Sequence, residues 1–190
     1  MTVDEIAALD LSDDEYEVVQ SVIRNKYRAY DAGGDLVLRG KQQLFKLREE
    51  FPFVDADGDP AFTVKASGVL DVAADYALID DRTGDAVVVL DRNVALVHDR
   101  WTLRDPDTGA AVAEIASKSR LVSLLRHVHA LFSLLPHEYE ITGPDGRRVG
   151  TIDGKLSVRD RYVVRIDDAD AVPREAVLAA AMVVDAIEEN

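Results

Sequence analysis

Cysteine is missing from this chain altogether. Disulfides, thiolate metal centres and cysteine nucleophiles are therefore excluded before any pattern is read. Aromatic residues are scarce, at 6% of 190 residues, although 47% of the chain is hydrophobic. A core must then be built chiefly from valine, alanine and leucine, and the length suits one well-buried domain. Positive charge is also in short supply: 22 Lys and Arg stand against 36 Asp and Glu, for a formal net charge of -14. No basic face dominates, which argues against free nucleic acid as a partner. No stretch reaches the ~18 to 20 apolar residues that span a bilayer as a helix. The opening "MTVDEIAALDLSDDE" has neither a basic start nor a long apolar run, so no secretory signal is expected. These absences predict a cytoplasmic protein.

The acids that are present are mostly Asp, the bases mostly Arg, and the acids recur along almost the whole length. Short, dispersed carboxylates suit a high-salt cytoplasm, where repulsion is screened and the surface stays hydrated. A site for metal ions or for a basic partner would instead cluster them.

The strongest positive signal is a repeat. An aromatic residue stands shortly before a turn at Phe51, Tyr76, Trp101 and Tyr139, and the first three are 25 residues apart. Each unit reads as an alternating apolar strand, a turn rich in Asp and Gly, and a second apolar strand. Asp opens a turn by bonding its own backbone, and Gly58, Gly84, Gly109 and Gly146 allow the positive φ of tight hairpin connections. Further strands flank the series, at "DLVLRGKQQLFKL" and "GKLSVRDRYVVRIDD". Antiparallel hairpins in series hide their edges completely only by closing into a barrel.

The chain ends in "VPREAVLAAAMVVDAIEEN", unbroken apolar sequence from Ala176 to Val184. A helix there is hydrophobic on every side, which marks it as buried. Its length of about 20 Å matches a barrel interior. Small residues at Ala180 and Ala181 let it sit in a narrow space that Val177, Leu178, Val184 and Ile187 fill. Together the aromatic-x-x-x-D-x-x-G hairpins, "RGKQQLFKL", "GKLSVRDRYVVRI" and the terminal apolar helix resemble the LURP-one-related family, relatives of the phospholipid scramblases and the Tubby C-terminal domains. The likeness covers Leu36 to Ile187. It implies a mainly β fold: a closed antiparallel barrel of about twelve strands around a buried C-terminal helix. The family is defined by fold and has no agreed activity.

Two segments fall outside the repeat. Ser12 to Arg28 opens with a capping box, Ser12 with Glu15, and places Tyr16, Val19 and Ile23 at helical spacing. It is expected to form an amphipathic helix, so that residues 1–30 make a helical arm and 31–190 the barrel domain. The other lies at about 116–136, where the repeat spacing rises to 38. No acid occurs between Glu114 and Glu138. The segment carries Lys118, Arg120 and Arg126 among Leu121, Leu125, Leu131 and Phe132, the residues expected to contact an anionic membrane surface or a protein partner, within 115–137. The bland alternative is a plug for one barrel end with a solvated basic rim.

Catalytic signals are weak. His127, His129 and His137 have no carboxylate within the segment itself to serve as a third metal ligand. "DADGD" at 55–59 looks like half a calcium loop, but Ala66 stands where the bidentate acid belongs, so a hairpin turn is expected. Ser117, Ser119, Ser123 and Ser133 lack a nucleophile elbow, and no phosphate-binding glycine loop occurs. No catalytic residue, metal or cofactor is predicted. The expected function is a non-catalytic binding or membrane-associated module of the LURP-one-related type that acts through its outer surface, peripheral to the membrane and with a homodimer allowed. Scramblase-like lipid handling or headgroup recognition is the runner-up, and a hydrolase the third reading.

Overall fold

The computed structural model describes residues 6, 9, 11–21, 26–41, 43–45, 48–66, 75–94, 99–118, 138–155 and 161–188. The described residues form thirteen strands and one helix: β1 (Glu15–Ser21), β2 (Lys26–Tyr30), β3 (Leu36–Lys41), β4 (Gln43–Phe45), β5 (Arg48–Asp55), β6 (Pro60–Ala66), β7 (Tyr76–Asp80), β8 (Ala86–Val94), β9 (Asp99–Arg104), β10 (Ala111–Ser117), β11 (Glu138–Thr142), β12 (Arg148–Lys155), β13 (Arg161–Ile166) and α1 (Arg174–Glu188). Every pairing is antiparallel.

Neighbouring strands follow the order β3-β2-β1-β13-β12 and so on down to β5-β4, and β3 also pairs with β5, which closes the ring. Gly40 lies opposite Phe53 and Gln43 opposite Glu50, so β3 and β4 keep one register against β5 and act as a single stave. The barrel therefore has twelve staves and no free edge.

Each repeat unit is one hairpin, with its aromatic on the first strand. Phe51 and Trp101 are fully buried, and Tyr139 nearly so. The turns are tied by their own aspartates. Asp55 Oδ1 accepts from the backbone N–H of Gly58 (2.8 Å) and Asp59 (2.9 Å). Asp80 Oδ1 accepts from Arg82 N (2.7 Å), and Asp105 Oδ1 from Asp107 N (3.0 Å) and Thr108 N (2.8 Å). Gly84, at φ 81, has open space around its missing Cβ, so conformation and not crowding calls for glycine there. "DADGD" is thus a hairpin turn, as its sequence suggested.

α1 fills the barrel. Every residue from Ala176 to Val184 is buried, at 2% exposure or less, which answers why that run is apolar on all sides. Val177, Leu178, Ala180, Ala181 and Val184 lie in the core as expected, while Ile187 falls within α1. The Pro173 carbonyl accepts from Val177 N at 3.2 Å, so proline stands at the helix start, where its missing N–H costs nothing. Space is tight elsewhere too. A Cβ on Gly40 would meet the Phe53 ring at 2.5 Å, and that ring stacks on Phe62 at 4.4 Å.

The N-terminal segment departs from expectation. Residues 15–21 and 26–30 are β1 and β2, two staves of the barrel, and not an amphipathic helix. Tyr16, Val18 and Gln20 all face inward and are buried. The polar Gln20 interrupts what would otherwise read as apolar alternation, and its Nε2 donates to the Tyr27 hydroxyl at 3.0 Å. Pairing with β13 and β2 supplies the backbone hydrogen bonds that decide the conformation over the local capping signal.

Candidate functional site

With α1 inside, the accessible chemistry lies on the outer wall and at the two ends. Antiparallel order sorts the connections. The turns after β2, β5, β7, β9 and β11 share one end with the start of α1. The strand ends that bound the 22–25, 67–74, 95–98 and 156–160 connections, and the long one between β10 and β11, share the other.

The aspartate-turn end is sealed. Ile6 and Leu11 are buried against the core. Arg174, in the first turn of α1, donates from Nε to the Asp13 carbonyl at 2.9 Å and pairs with the Asp14 carboxylate at 2.8 Å. Tyr16 accepts from Asp13 N at 2.9 Å. Burial pushes the Tyr16 hydroxyl up to about 12 against the modest lowering by that bond.

At the opposite end the sequence-based candidates meet the wall at Lys118. Its backbone N–H donates to the Glu138 carbonyl at 2.9 Å, closing the β10–β11 pair where the long connection leaves. Its ammonium pairs with Asp153 at 3.0 Å. Arg165 reaches the second oxygen of Asp153 at 2.9 Å and Glu15 at 2.9 Å, so one ionic chain crosses β10, β12, β13 and β1. Partial burial raises the Asp153 pKa, but bonds from Lys118 and Thr151 and the charges of Lys118 and Arg165 outweigh it and hold the carboxyl below its usual range. Arg120, Leu121, Leu125, Arg126, Leu131 and Phe132 lie outside the described residues, as do all four histidines.

Beside Lys118 an open groove of about 460 Å³ runs over β9 to β11, lined by Arg100, Glu114, Ala116, Ser117, Lys118, Glu140 and Thr142. Arg100 and Glu114 pair across it at 2.9 Å. Both signs of charge line its walls and Ser117 stands among them. No group of three His, Cys, Asp or Glu among the described residues is arranged to hold a metal ion. No helix of the described residues is long and apolar enough to cross a membrane. The groove can accept salt-bridging and hydrogen-bonding contacts.

A further set of residues escaped sequence reasoning. Lys26 begins β2, Lys65 lies one residue before the end of β6, and Lys155 ends β12. All three sit at the same end as Lys118, and none takes part in a salt bridge among the described residues. They are far apart in sequence, and only closure of the barrel gathers them.

The closed barrel with its internal helix and the hairpin repeat find their counterpart in known proteins. The sequence profile described as LURP-one-related matches residues 35–185. This chain belongs to the LURP-one-related family. Among solved structures, an X-ray structure of a protein from Arabidopsis thaliana is similar over 99% of this chain and 98% of its own, with a TM-score of 0.59 and 12% identity. At that identity the likeness shows the fold alone. No curated protein matches the chain. This family membership and Tubby-like barrel suggest a non-enzymatic binding module.

Proposed function

We propose that this LURP-one-related protein is a non-catalytic binding module that works through its outer surface and associates peripherally with an anionic membrane through residues 115–137. The observation that supports it best is the filled interior. α1 occupies the space in which a barrel ordinarily holds a small ligand, so recognition falls to the outside. The acid-free sequence between Glu114 and Glu138, in a chain of 36 acids, adds apolar and basic character where the wall at Lys118 gives way to the long connection. A cytoplasmic setting at high salt belongs to the same reading and rests on the dispersed excess of aspartate. Scramblase-like movement of lipid has no residue among the described ones to support it.

Flotation with vesicles tests the reading. Wild type should rise with vesicles containing phosphatidylglycerol, and Arg120→Glu with Arg126→Glu should remain at the bottom while melting like wild type. Equal flotation of the two proteins would count against the segment. Failure of wild type to float, together with a concentration-dependent dimer by light scattering that the same substitutions abolish, would assign the segment to a second copy instead.

A further inference from the structure

We propose that the bond between Asp57 and Gly58, at the tip of the turn from β5 to β6, is a modification site where the chain isomerises without an enzyme to an isoaspartyl linkage. Among aspartyl pairs, aspartate followed by glycine is the one most prone to this rearrangement, because glycine has no side chain to shield its amide nitrogen from the preceding carboxyl group. The pair occurs at Asp57 with Gly58, at Asp145 with Gly146 and at Asp153 with Gly154. Their surroundings in the fold rank them.

The chemistry asks for a carboxyl group that is free to turn and to lose its charge. The Gly58 nitrogen attacks Cγ of Asp57, an N–Cγ bond forms, and a carboxyl oxygen leaves as water with the amide proton. Water then adds across the bond between that nitrogen and the main-chain carbonyl carbon of Asp57, which breaks. The chain now runs through Cβ and Cγ, longer by a carbon, and a free α-carboxylate stands beside it. Water is lost and regained, so the mass does not change.

Two of the three carboxyl groups are held. Asp145 accepts from the backbone N–H of Arg147 at 3.0 Å and from its guanidinium. Those bonds keep its carboxyl below the ordinary range and so ionised, which makes its Cγ a poor target. Asp153 is fixed by Lys118 at 3.0 Å and by Arg165 and the Thr151 hydroxyl, each at 2.9 Å, while Gly154 lies within β12 opposite Tyr162. Asp57 differs from both. It is exposed and takes part in no hydrogen bond or ion pair among the described residues. Arg39, which lies against this turn, donates to the carbonyls of Ala56 at 3.0 Å and Asp55 at 3.4 Å and not to the Asp57 carboxyl.

The nitrogen carries a brake. Gly58 N donates to Asp55 Oδ1 at 2.8 Å, and that bond must break before the nitrogen can turn to Cγ. Gly146 N is engaged likewise by the Gly143 carbonyl at 3.0 Å, so the carboxyl group, and not the nitrogen, separates the two turns. An added backbone carbon shifts the offsets by which Asp55 ties Gly58 and Asp59, and the modified hairpin should open at its tip. The new α-carboxylate is the group that isoaspartyl methyltransferases esterify, which makes an enzyme of that class the partner this turn would meet.

The test is storage of the full chain at neutral pH, both folded and unfolded in urea, so that each folded rate is divided by its unfolded one. Digestion and mass spectrometry follow the three peptides, in which an isoaspartyl form elutes apart at unchanged mass and resists endoproteinase Asp-N at that residue. The folded chain should lose Asp-N cleavage at Asp57 first, with Asp145 and Asp153 well behind. Asp55→Ala, which frees the Gly58 N–H, should speed conversion at Asp57 about fivefold, the rate equivalent of a hydrogen bond of about 1 kcal/mol. Asp55→Asn, which keeps an acceptor, should convert as wild type, and a melting curve checks that both variants fold. Conversion that is equal at the three sites, led by Asp145 or Asp153, or absent from folded Asp57 while the urea sample converts, overturns the assignment. Equal rates in Asp55→Ala and Asp55→Asn overturn the brake.

Discussion

At the aspartate-turn end each connection is tied into its own backbone, whereas at the opposite end Lys26 stands opposite Lys41 in register and Lys155 opposite Arg161. The first arrangement uses its charge. Asp31 Oδ1 accepts from Asp35 N at 2.8 Å, Asp55 and Asp105 each from two N–H groups, and Asp145 from Arg147 N at 3.0 Å. Those carboxylates satisfy donors that a hairpin would otherwise leave to water, and the N-terminal segment and Arg174 close the end over them. The second arrangement leaves charge over. Lys26, Lys65 and Lys155 complete no salt bridge among the described residues, although Lys65 stands opposite Glu50 in register. The contrast teaches where to look for function in a barrel whose interior a helix fills, at the end whose polar groups the fold does not consume.

The largest effect should come from the element that joins the two ends. α1 passes through the barrel, and Ala180 is fully buried within it. Ala180→Arg would place a charge without a partner in an apolar interior, at a cost of about 4 to 5 kcal/mol or more. The expected outcome is loss of cooperative folding, followed through the fluorescence of Trp101, the chain's single tryptophan and itself buried. A variant that melts sharply near the wild-type temperature would mean that α1 does not occupy the core.

Salt should act on the two ends unequally. Like charges about 10 Å apart in water repel by roughly 0.4 kcal/mol, and screening removes most of that by 0.1 M. Summed over the aspartates of neighbouring turns, this predicts a melting temperature that climbs by several degrees between about 0.01 M and 0.1 M salt and more gently beyond. Asp57→Asn with Asp59→Asn should flatten the climb, and Lys155→Gln should steepen it slightly. A wild-type melting temperature that is flat over this range would show that the acids are compensated internally and that their excess says nothing about habitat.

The same contrast shows what the sequence makes legible. The hairpins could be read because each carries its own instruction, an aspartate and a glycine at fixed offsets, within a few residues. The helix could be read because burial on all sides leaves a continuous apolar run. β1 was hidden by Gln20, an inward-facing polar residue whose partner Tyr27 lies on the next strand, so the apolar positions left in view fell at helical spacing. The gathering of lysines at one end was hidden for a different reason. Lys26, Lys65 and Lys155 are isolated in an acidic chain, and their proximity to one end is a property of strand pairing alone. The candidate segment was noticed by its composition, and of its named contact residues only Lys118 lies among the described ones.

Sealing of the aspartate end can be weakened without touching the core. Arg174→Ala removes the bond to the Asp13 carbonyl and the pair with Asp14, of which Arg174 is the more buried partner. A charge-assisted hydrogen bond in such a setting contributes about 1 to 2 kcal/mol. The variant should therefore melt a few degrees lower, with faster amide exchange at Tyr16 and Ile166. Lys155→Ala at the other end should shift the melting temperature by less than one degree or two. Equal losses from the two substitutions would erase the distinction between an end that the fold uses and an end that it does not.

The smallest effect is also the most local. Thr108 donates to Asp105 from both its backbone N–H and its hydroxyl, and Asp107 N adds a third bond, which together hold the Asp105 carboxyl below its ordinary range. A carboxylate lowered in the folded state binds its proton more readily when unfolded, so its stabilisation is present above the unfolded pKa of about 3.9 and is lost as pH falls through the folded value. Asp105→Asn keeps an acceptor in the turn and removes the titration. Its melting temperature should lie slightly below that of wild type at neutral pH, and the gap should close on acidification below about pH 4. Relief of repulsion among the other aspartates works in the opposite direction but is common to both proteins, so it cancels in the difference. A gap that stays constant from neutral pH into the acid range would mean that the turn is held by shape and by Gly109, and that the charge on Asp105 contributes nothing to it.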